Sequence, residues 1–514
     1  MSKTIIIIGA GLAGLSAALQ AAENGCNVKL VSSLPSERAQ SVMAEGGINA
    51  ALNTKDENDS PEEHFTDTIK AACGLADPNA VWGMTQAAPE LVHWLLKLGV
   101  KFNMSGYDDV DLRNFGGQKK KRTAFAQSDT GKQIMTAMID AVRRKEASGM
   151  VERFSHHSFL TLRLCGNICC GCVIRDEYSQ ETVELPGDAV IVATGGMHGL
   201  FGNTTGSLSN TGEVTAELFR LGVPLANGEM IQYHPTTVKC GGKRMLISEA
   251  ARGEGGRLFA TKDGKQWYFM EEKYPELGNL MPRDITAREI WKVSHESEVF
   301  LDMTEISEEI ISNKLSGLAD DCMTYLHKDI RKEPVSVLPG IHYFMGGILV
   351  DEQHRTPIQN LCAAGECCAQ YHGANRLGGN SLLGALYGGR VAAKSVCEQA
   401  DVVDLSCATQ IDFPPASQIS EIKQLNKVMQ ETMGVVRNEN TLLNGIQTVQ
   451  ALTGNLPLLG MAVLKSALAR KESRGAHWRE DYPKSNDDDY LKTTVARFDG
   501  KQIQISFVPV PERR

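Results

Sequence analysis

The sequence predicts an α/β fold of several domains, and three observations support this prediction. A short apolar stretch, TIIII, runs straight into glycines and then into an Ala/Leu-rich segment, which predicts a strand–turn–helix unit at the start of the chain. The later segments DAVIVATGG (188–196) and NLCAAGE (360–366) repeat the junction of strand and glycine. Beyond residue 402, apolar residues recur at helical spacing. The chain therefore combines a sheet-based α/β part with a helical C-terminal region.

Composition and charge are those of an ordinary globular protein. The 514 residues are 42% hydrophobic and 22% charged, with a net charge of −9. This acidic balance argues against a nucleic-acid partner, which usually leaves a basic footprint. No apolar run approaches the ~18 residues of a membrane span, and the start MSKTIIIIGAG leads into glycines instead of a signal-peptide cleavage site. We therefore expect a cytoplasmic protein that has no membrane span of its own.

Four of the thirteen cysteines form a dense cluster, CGNICCGC, which contains Cys165, Cys169, Cys170 and Cys172. Their spacing does not match zinc or iron–sulfur ligand patterns, so no metal site is predicted. Small apolar residues alternate around them as in a β-hairpin. We expect buried strand cysteines that remain reduced thiols.

The first strand–turn–helix unit carries the glycines of a dinucleotide-binding loop, Gly9, Gly11 and Gly14. They follow a strand and open a helix within a unit of about 30 residues, which is the context that this fingerprint requires. The glycines allow a tight turn and close approach of a pyrophosphate, and the helix N-terminus attracts the phosphates. The second strand ends in Ser32 and Ser33, where an acidic residue would usually bind the ribose, so we expect a serine or the backbone to make that contact.

Strand-to-glycine junctions at the beginning, middle and end of a chain indicate one Rossmann-like nucleotide domain assembled from separated segments. Flavoproteins that enclose a whole FAD often need this arrangement, whereas NAD-only enzymes rarely do. The sequence therefore favours FAD as the cofactor.

Many motifs, in order along nearly the whole chain, resemble the flavoprotein subunits of succinate dehydrogenase and fumarate reductase and their sibling L-aspartate oxidase. They are AEGGINAAL (44–52), NFGGQKKKRTAFAQSDTGKQ (114–133), VATGG (192–196), NTGEV (210–214), QYHPTT (232–237), LISEAARGEGGRLF (246–259), MPRDITARE (281–289), HYFMGGILVD (342–351), AAGECC (363–368), HGANRLGGNSL (372–382) and SALARKESRGAHWREDYP (466–483).

The resemblance implies a set of FAD-contacting residues. They are Gly9, Ala10, Gly11, Leu12, Ala13, Gly14, Ser32, Ser33, Gln40, Ser41, Ala44, Glu45, Gly46, Gly47, Ala193, Thr194, Gly195, Glu213, Glu366, Asn380, Ser381 and Leu382. Glu213 is a departure, because the family usually has Asp in NTGEV.

A four-carbon dicarboxylate needs cationic or donor groups at both ends in a dry site. The resemblance implies that His234, Ser248, His342 and Arg376 bind the substrate carboxylates. Arg376 suits this role because its planar fork can hold a carboxylate bidentately. Taken singly, each histidine is more often a structural residue, and Arg376 would be a surface ion pair.

The reaction implied by the resemblance is hydride transfer between flavin N5 and one carbon of a C=C bond, with a proton added to the other carbon. Arg283 is the implied proton donor, and Glu249 and Arg252 are the implied relay. Arginine normally stays protonated, so it can act as an acid only toward a more basic carbanion and with rapid reprotonation. Without the resemblance, an ion pair of Arg283 with Asp284 or another carboxylate would be favoured.

Phe115 distinguishes the two branches of the family. Aspartate oxidases carry an acidic residue at the matching position, in EGGHS, which meets the substrate ammonium. This chain has Phe115, with Gln118 after the glycines. An apolar side chain offers an ammonium no counter-charge, so the segment resembles the succinate/fumarate type. L-Aspartate oxidase remains the alternative, and a non-catalytic FAD-binding subunit is a third reading.

Gln40 bears on cofactor attachment and on the direction of the reaction. Respiratory members attach FAD covalently to a histidine in a motif like RSHTVAAEGG, and this chain reads RAQSVMAEGG. Gln40 has no nucleophilic ring nitrogen, so we expect non-covalent FAD. In the family, loss of that bond generally lowers the flavin potential and favours fumarate reduction.

We predict four segments: an FAD-binding domain in two parts, 1–228 and 342–402, an inserted α+β capping domain, 229–341, and a C-terminal helical domain with a tail, 403–514. The linker DFPPAS (412–417) precedes the helices, Gly475 is expected to stop the last one, and FDGKQIQISFVPVPERR alternates like a strand. The C-terminal region is shorter than in membrane-bound members. The resemblance implies a flavoprotein that works alone or with a redox partner, an iron–sulfur subunit or another, through which it would associate with a membrane.

Overall fold

The computed structural model describes residues 2–106, 109–400, 411, 413 and 418–514. The strands are β1 Thr4–Ile8, β2 Asn27–Ser32, β3 Ile48–Asn49, β4 Leu112–Arg113, β5 Thr123–Ala124, β6 Val151–Ser155, β7 His157–Cys165, β8 Ile168–Asp176, β9 Thr182–Pro186, β10 Ala189–Val192, β11 Leu225–Ala226, β12 Ile231–Cys240, β13 Lys243–Leu246, β14 Arg257–Lys262, β15 Lys265–Trp267, β16 Val299–Asp302, β17 Val335–Ser336, β18 Leu338–Phe344, β19 Gly347–Leu349, β20 Leu361–Ala363, β21 Cys368–Ala369, β22 Lys492–Phe498 and β23 Ile503–Pro509.

The helices are α1 Leu12–Glu23, α2 Pro61–Ala71, α3 Pro78–Lys97, α4 Thr130–Ala147, α5 Glu213–Arg220, α6 Glu249–Gly253, α7 Phe269–Lys273, α8 Arg283–Val293, α9 Glu308–Lys314, α10 Ser316–Asp321, α11 Asn380–Gln399, α12 Ile419–Thr432, α13 Glu439–Val449, α14 Asn455–Ala469 and α15 Asp487–Tyr490. Among the described residues, no helix is both long and apolar enough to cross a membrane.

A five-stranded parallel sheet, in the order β20-β10-β1-β2-β6, forms the nucleotide-binding core. The isoleucines of TIIII are buried, which is typical of a parallel strand covered on both faces. The three predicted strand-to-glycine junctions follow β1, β10 and β20, which lie side by side. The glycine-rich ends of the three strands therefore meet at one edge of the sheet, where α/β proteins bind nucleotides.

Between the two stretches that supply this sheet, the chain forms a mixed capping region. It contains a three-stranded sheet, β13-β12-β18, and a four-stranded antiparallel sheet, β15-β14-β16-β17. Helices α6 to α10 belong to the same stretch. The predicted boundary between residues 341 and 342 falls inside β18, and the boundary between 402 and 403 lies outside the described residues. The domain limits therefore stay predictions.

The C-terminal region contains helices and a strand pair. Helices α12, α13 and α14 pack on one another, as the helical spacing predicted. The tail pattern corresponds to β23, which pairs with β22 and extends the sheet β21-β19-β11-β22-β23. All of the predicted linker 412–417 except Phe413 lies outside the described residues.

The prediction that Gly475 ends the last long helix was wrong. Helix α14 ends at Ala469, because the backbone of Arg470 turns extended and its side chain enters a buried ion pair with Glu229, whose nearest N···O distance is 2.7 Å. Gly475 lies beyond the helix with a positive φ of 53°. There a Cβ would lie only 2.6 Å from the carbonyl oxygen of Ala374.

The cysteine cluster lies in the predicted hairpin, formed by β7 and β8. Cys169, Cys170 and Cys172 are buried free thiols of β8. Cys165 is instead disulfide-bonded, which corrects the expectation of reduced thiols throughout. Across the residues that the structure describes, no group of three or more His, Cys, Asp and Glu side chains could hold a metal ion.

Candidate active site

The loop between β1 and α1 brings backbone, and no side-chain bulk, to the edge of the parallel sheet. A Cβ on Gly14 would lie 1.8 Å from the carbonyl oxygen of Gly9, so the helix can approach the strand only with glycine here. A Cβ on Gly9 would lie 2.2 Å from the carbonyl oxygen of Ala193, which begins the second glycine junction. Around Gly11, by contrast, the nearest atom to a Cβ is 3.7 Å away. Gly9 and Gly14 therefore serve packing, and Gly11 leaves open the space at the helix start.

One cavity of about 540 Å³ extends from this loop into the capping region. Every residue predicted to bind cofactor or substrate, or to catalyse, lines it, with three exceptions: Gly14, Arg252 and Asn380. Gly14 lies in the interface between strand and helix, and Arg252 lies behind Glu249. The side chain of Asn380 points away from the cavity, and its Nδ2 donates to Oγ1 of Thr68 over 3.0 Å.

Four buried polar atoms at the cavity are free to bind a polar ligand. Ser32 Oγ, Glu45 Oε2, His234 Nε2 and Arg376 Nε have no hydrogen-bond partner in the described part of the chain. All four residues line the cavity. Unmet buried polar atoms are costly, so a ligand that satisfies these four would be stabilised here. Ser32 lies at the end of β2, where the sequence predicted a ribose contact, and the glycine backbone leaves room for a flat dinucleotide. These residues therefore fit FAD.

Two of the carboxyl groups that line the cavity, those of Glu45 and Glu366, belong to predicted cofactor-binding residues and have informative surroundings. Burial and the neighbouring Asp321 raise the pKa of Glu45 to about 8, so this side chain is protonated at neutral pH. Glu366 follows β20, and its Oε1 accepts a hydrogen bond from the backbone N–H of Phe344 over 3.0 Å. This contact connects the third glycine junction to β18 of the capping region.

Arg283 and Glu249 form a buried ion pair. Each residue begins a helix, α8 and α6, and the two helix starts face each other. Nε and Nη2 of Arg283 donate to Glu249 Oε2 over 2.8 and 2.6 Å. Arg252 Nη2 lies 3.3 Å from Glu249 Oε1. Arg283 therefore pairs with one oxygen of the Glu249 carboxylate, and Arg252 lies beside the other.

Burial alone would raise the pKa of the Glu249 carboxyl group. The positive charges of Arg283 and Arg252 outweigh that effect, so its pKa is lowered and it is a carboxylate. Burial lowers the pKa of Arg252, and Glu249 opposes that shift.

Gln232 connects the two arginines of the site and was missed by the sequence analysis. Its Oε1 accepts hydrogen bonds from Arg283 Nη1 over 3.0 Å and from Arg376 Nη2 over 2.9 Å. Its amide nitrogen donates to Asn375 Oδ1 and to the carbonyl oxygen of Arg376, each over 2.9 Å. A neutral amide thus fixes the spacing of two guanidinium groups without neutralising either.

Arg376 is buried and only 3% exposed, which corrects the alternative of a surface ion pair. Its guanidinium carbon lies 4.3 Å from the ring centroid of Tyr343, close enough for a cation–π contact. Burial, and then repulsion from Arg283, lowers the pKa of Arg376 to about 9. Such a cation is stabilised by an incoming anion.

His234 and His342 lie on paired strands, β12 and β18, with ring centroids 5.1 Å apart. Burial, followed by the charge of Arg283, lowers the pKa of both rings well below the usual value, so both are neutral. His342 Nδ1 lies 2.8 Å from Thr205 Oγ1, and His234 Nδ1 lies 3.1 Å from the carbonyl oxygen of Thr236. Both residues line the cavity.

Ser248 and Phe115 also line the part of the cavity that contains Arg283 and Arg376. Ser248 caps α6, where its Oγ accepts from the backbone N–H of Ala250 over 3.4 Å. Phe115 is 2% exposed and lies against the backbone of Gly46 and Gly378, where an added Cβ would be 3.0 Å from its ring.

Within the buried cluster of Arg252, Arg283, Arg376 and Glu249, the charges do not cancel. Arg252, Arg283 and Arg376 supply three positive charges and Glu249 one negative charge, which leaves a net of two positive charges within a buried cluster. A ligand with two negative charges would balance them.

The chain is similar to known proteins along nearly its whole length. Residues 4–382 match the family described as FAD binding domain, and residues 452–513 match fumarate reductase flavoprotein C-term. The succinate dehydrogenase flavoprotein subunit of Bacillus subtilis is 38% identical, over 100% of this chain and 98% of that protein. The 8-methylmenaquinol:fumarate reductase flavoprotein subunit of Wolinella succinogenes is 32% identical, over 100% of this chain and 92% of that protein.

A solved structure of the quinol fumarate reductase of Escherichia coli superposes with a TM-score of 0.90 at 27% identity, covering 99% of this chain and 97% of that one.

Proposed function

This chain belongs to the flavoprotein family of succinate dehydrogenases and fumarate reductases, and from that membership we propose that it interconverts fumarate and succinate with a bias toward fumarate reduction. The observation that carries this proposal is the convergence of Arg283 and Arg376 on Gln232, in a buried cluster with two net positive charges. A substrate with two carboxylates balances that charge.

Bound FAD supplies the two-electron redox chemistry. The residues of the chain hold and orient the acid beside it. The Nε of Arg376, next to Nη2, has no hydrogen-bond partner among the described residues, so the guanidinium can donate to both oxygens of a carboxylate. His234, His342 and Ser248 provide neutral groups around it. Because the site is buried, these polar contacts are stronger than in water.

Arg283 donates the proton in this proposal. Both donor atoms that it directs at Glu249 meet the same oxygen, Oε2, while Arg252 faces Oε1 of the same carboxylate. A proton lost from Arg283 is therefore replaced through Glu249 from the side of Arg252. This short path meets the requirement for rapid reprotonation of an arginine acid.

The FAD is non-covalent, because Gln40 lines the cavity where respiratory members have the histidine that bonds to the flavin. An amide does not form such a bond. The bias toward fumarate reduction follows from this, since the unattached flavin has the lower potential in the family.

We propose that the protein receives its electrons from a redox partner, an iron–sulfur subunit or another, and works in the cytoplasm or at a membrane through that partner. The names of the relatives support this, because both curated relatives are flavoprotein subunits. L-Aspartate oxidase is not proposed: the relatives named above are succinate dehydrogenases or fumarate reductases, and the buried ring of Phe115 offers a substrate ammonium no counter-charge.

The test is an anaerobic reoxidation. The purified yellow protein is reduced with dithionite to its endpoint, fumarate is added, and the return of oxidised-flavin absorbance is followed. A parallel aerobic sample receives L-aspartate and is assayed for peroxide. We expect rapid reoxidation by fumarate and no aspartate-dependent peroxide. Absence of fumarate-dependent reoxidation, or peroxide formed from aspartate, would overturn the proposal.

A further inference from the structure

Asn49 is a fully buried amide just outside the cavity that the proposed mechanism does not use. It ends β3, two residues after Gly47. Its Nδ2 donates to the carbonyl oxygen of Gly378 over 2.7 Å and to Asn380 Oδ1 over 2.8 Å. Its backbone N–H donates to the carbonyl oxygen of Gly379 over 3.1 Å. One residue thus holds three consecutive residues of the loop that leads into α11.

The carbonyl end of the same side chain is also occupied. Asn49 Oδ1 accepts from Thr123 Oγ1 over 2.6 Å and from Gln118 Nε2 over 3.0 Å. Gln118 Nε2 also donates to the carbonyl oxygen of Gly378, over 2.9 Å. An asparagine side chain has two donors and two acceptor positions, and here all four are used. Such a saturated amide permits one orientation and therefore holds its neighbours firmly.

Both stretches that Asn49 joins line the cavity. Gly46 and Gly47 lie just before Asn49, and Gly379 and Ser381 lie in the segment that it bonds. Gly379 has a φ of +83°, and a Cβ there would lie 2.1 Å from Asn49 Oδ1. Only glycine therefore permits this contact between the amide and the loop.

We propose that Asn49 is a positioning residue for the active site: it sets the distance between the Gly46–Gly47 and Gly378–Gly379 backbones, which enclose the flavin, and through the same loop it places Arg376. The inference rests on the proposed function for its effect on fumarate, but its effect on FAD requires only that the protein binds FAD.

The experiment compares Asn49→Ser with Asn455→Ser in the holoenzyme. Asn455 is a matched control, because it is 8% exposed and its Nδ2 donates to Glu217 Oε2 over 2.8 Å, with neither residue lining the cavity. For each variant we would measure the absorption spectrum of the bound flavin, the FAD dissociation constant, the thermal midpoint, and kcat and KM for fumarate.

Asn49→Ser should alter the fine structure of the flavin spectrum, raise the FAD dissociation constant about tenfold, as expected for the loss of a hydrogen bond or two, and raise the KM for fumarate. Asn455→Ser should lower the thermal midpoint and leave the spectrum, the FAD affinity and the KM unchanged. If Asn49→Ser only lowers the thermal midpoint, as the control does, Asn49 is structural and the inference is wrong.

Gln118→Met covers the case in which Asn49→Ser does not fold. It removes one donor to Gly378 and one to Asn49 while keeping the side-chain length. It should shift the flavin spectrum and the FAD affinity in the same direction, and a wild-type spectrum and affinity would overturn the inference. The spectrum and FAD affinity require no turnover. A protein that never reduces fumarate would therefore refute the proposed function and still test Asn49.

Discussion

Arg283 and Glu249 meet end to end in the interior, with two nitrogens of the guanidinium on a single carboxylate oxygen at 2.8 and 2.6 Å. Neither residue is more than 7% exposed. A buried pair of this kind is costly to break, because removing one partner leaves the other charge buried without solvation by water. The site therefore retains a carboxylate beside its proposed acid, and the first prediction concerns that carboxylate.

Glu249→Gln should slow fumarate reduction more than it weakens fumarate binding. The amide cannot pass a proton to Arg283, so kcat should fall by about 10²- to 10³-fold, within the range of general acid catalysis. Glu289→Gln is the matched control: Glu289 is also a buried glutamate of the capping region, and it pairs with Lys273 and Lys292. Steady-state kinetics decide the matter, and a kcat within threefold of wild type for Glu249→Gln would refute the relay.

Arg376→Lys should impair substrate binding. Lysine keeps the charge but loses the fork that holds a carboxylate in two places. We expect kcat/KM for fumarate to fall about 100-fold, equivalent to about 3 kcal/mol of transition-state stabilisation. Arg355→Lys, on an exposed side chain bonded to Asp351, should change nothing. An unchanged KM in the Arg376 variant would remove this residue from the carboxylate site.

The two glycines at the start of α1 should respond differently to alanine. Gly14→Ala places a Cβ 1.8 Å from a backbone oxygen, so the protein should be insoluble or lose several kcal/mol of stability. Gly11→Ala meets nothing within 3.5 Å and needs no unusual φ, so it should fold normally. Its methyl group would occupy the approach to the pyrophosphate, and FAD affinity should fall about tenfold or more. Urea unfolding and a fluorescence titration with FAD separate the two effects. Normal FAD binding by Gly11→Ala would contradict the assignment of this loop.

The flavin should leave the protein on acid denaturation. Gln40 offers no ring nitrogen for a covalent bond, so after precipitation with trichloroacetic acid the yellow colour and the flavin fluorescence should appear in the supernatant. A flavin that remains with the precipitate would mean that another side chain has bonded to it.

Stability should fall as the pH drops below about 6.5. Burial lowers the pKa of four histidines outside the cavity: to about 3 for His64, to about 4 for His354, and well below the usual value for His372 and His477. Because these folded-state values lie below the unfolded value of about 6.5, their contribution is complete above that pH. Each then loses up to about 1.4 kcal/mol per pH unit below it.

Glu45 changes the stability with pH in the opposite direction from the histidines. Its pKa in the folded state, about 8, lies above the unfolded value, so its contribution is complete below about 4.5 and is lost as the pH rises to about 8. The urea concentration at the unfolding midpoint should therefore be lower at pH 5 than at pH 8, and Glu45→Gln should make this decrease steeper. A midpoint that stays constant from pH 7 to pH 5 would contradict the buried neutral histidines.

The sequence was sufficient to predict the backbone of the nucleotide domain. TIIII, DAVIVA and NLCA are apolar runs that end in glycine, and such runs have few alternatives to buried parallel strands. The structure confirms that they lie side by side as β1, β10 and β20. The family motifs also predicted which side chains would share one cavity, although their roles in binding and catalysis stay predictions.

Side-chain partners were much harder to predict. The residues alone favoured an ion pair of Arg283 with Asp284 or another carboxylate. Asp284 accepts from Asn375 over 2.9 Å, and the carboxylate that pairs with Arg283 is Glu249. Gln232 was missed for the same reason, since its role exists only where β12 meets α8 and the loop of Arg376. One feature of the sequence could have indicated Gln232: it lies two residues before His234, and alternate residues of a strand point to the same face. Asn380 was predicted to contact the flavin, which stays a prediction. Its side chain bonds to Thr68, and a motif does not show which way an amide points.

The position of β20 in the parallel sheet has a consequence for biosynthesis. Its neighbour β10 ends at Val192, and β20 begins only at Leu361. At the usual rate of synthesis of 5–20 residues per second, the ribosome needs roughly 10 to 30 s to make the stretch between them. During that interval the emerging sheet has an open edge and the cavity lacks the wall that carries Arg376. The cofactor site can therefore be completed only after the whole capping region has been synthesised.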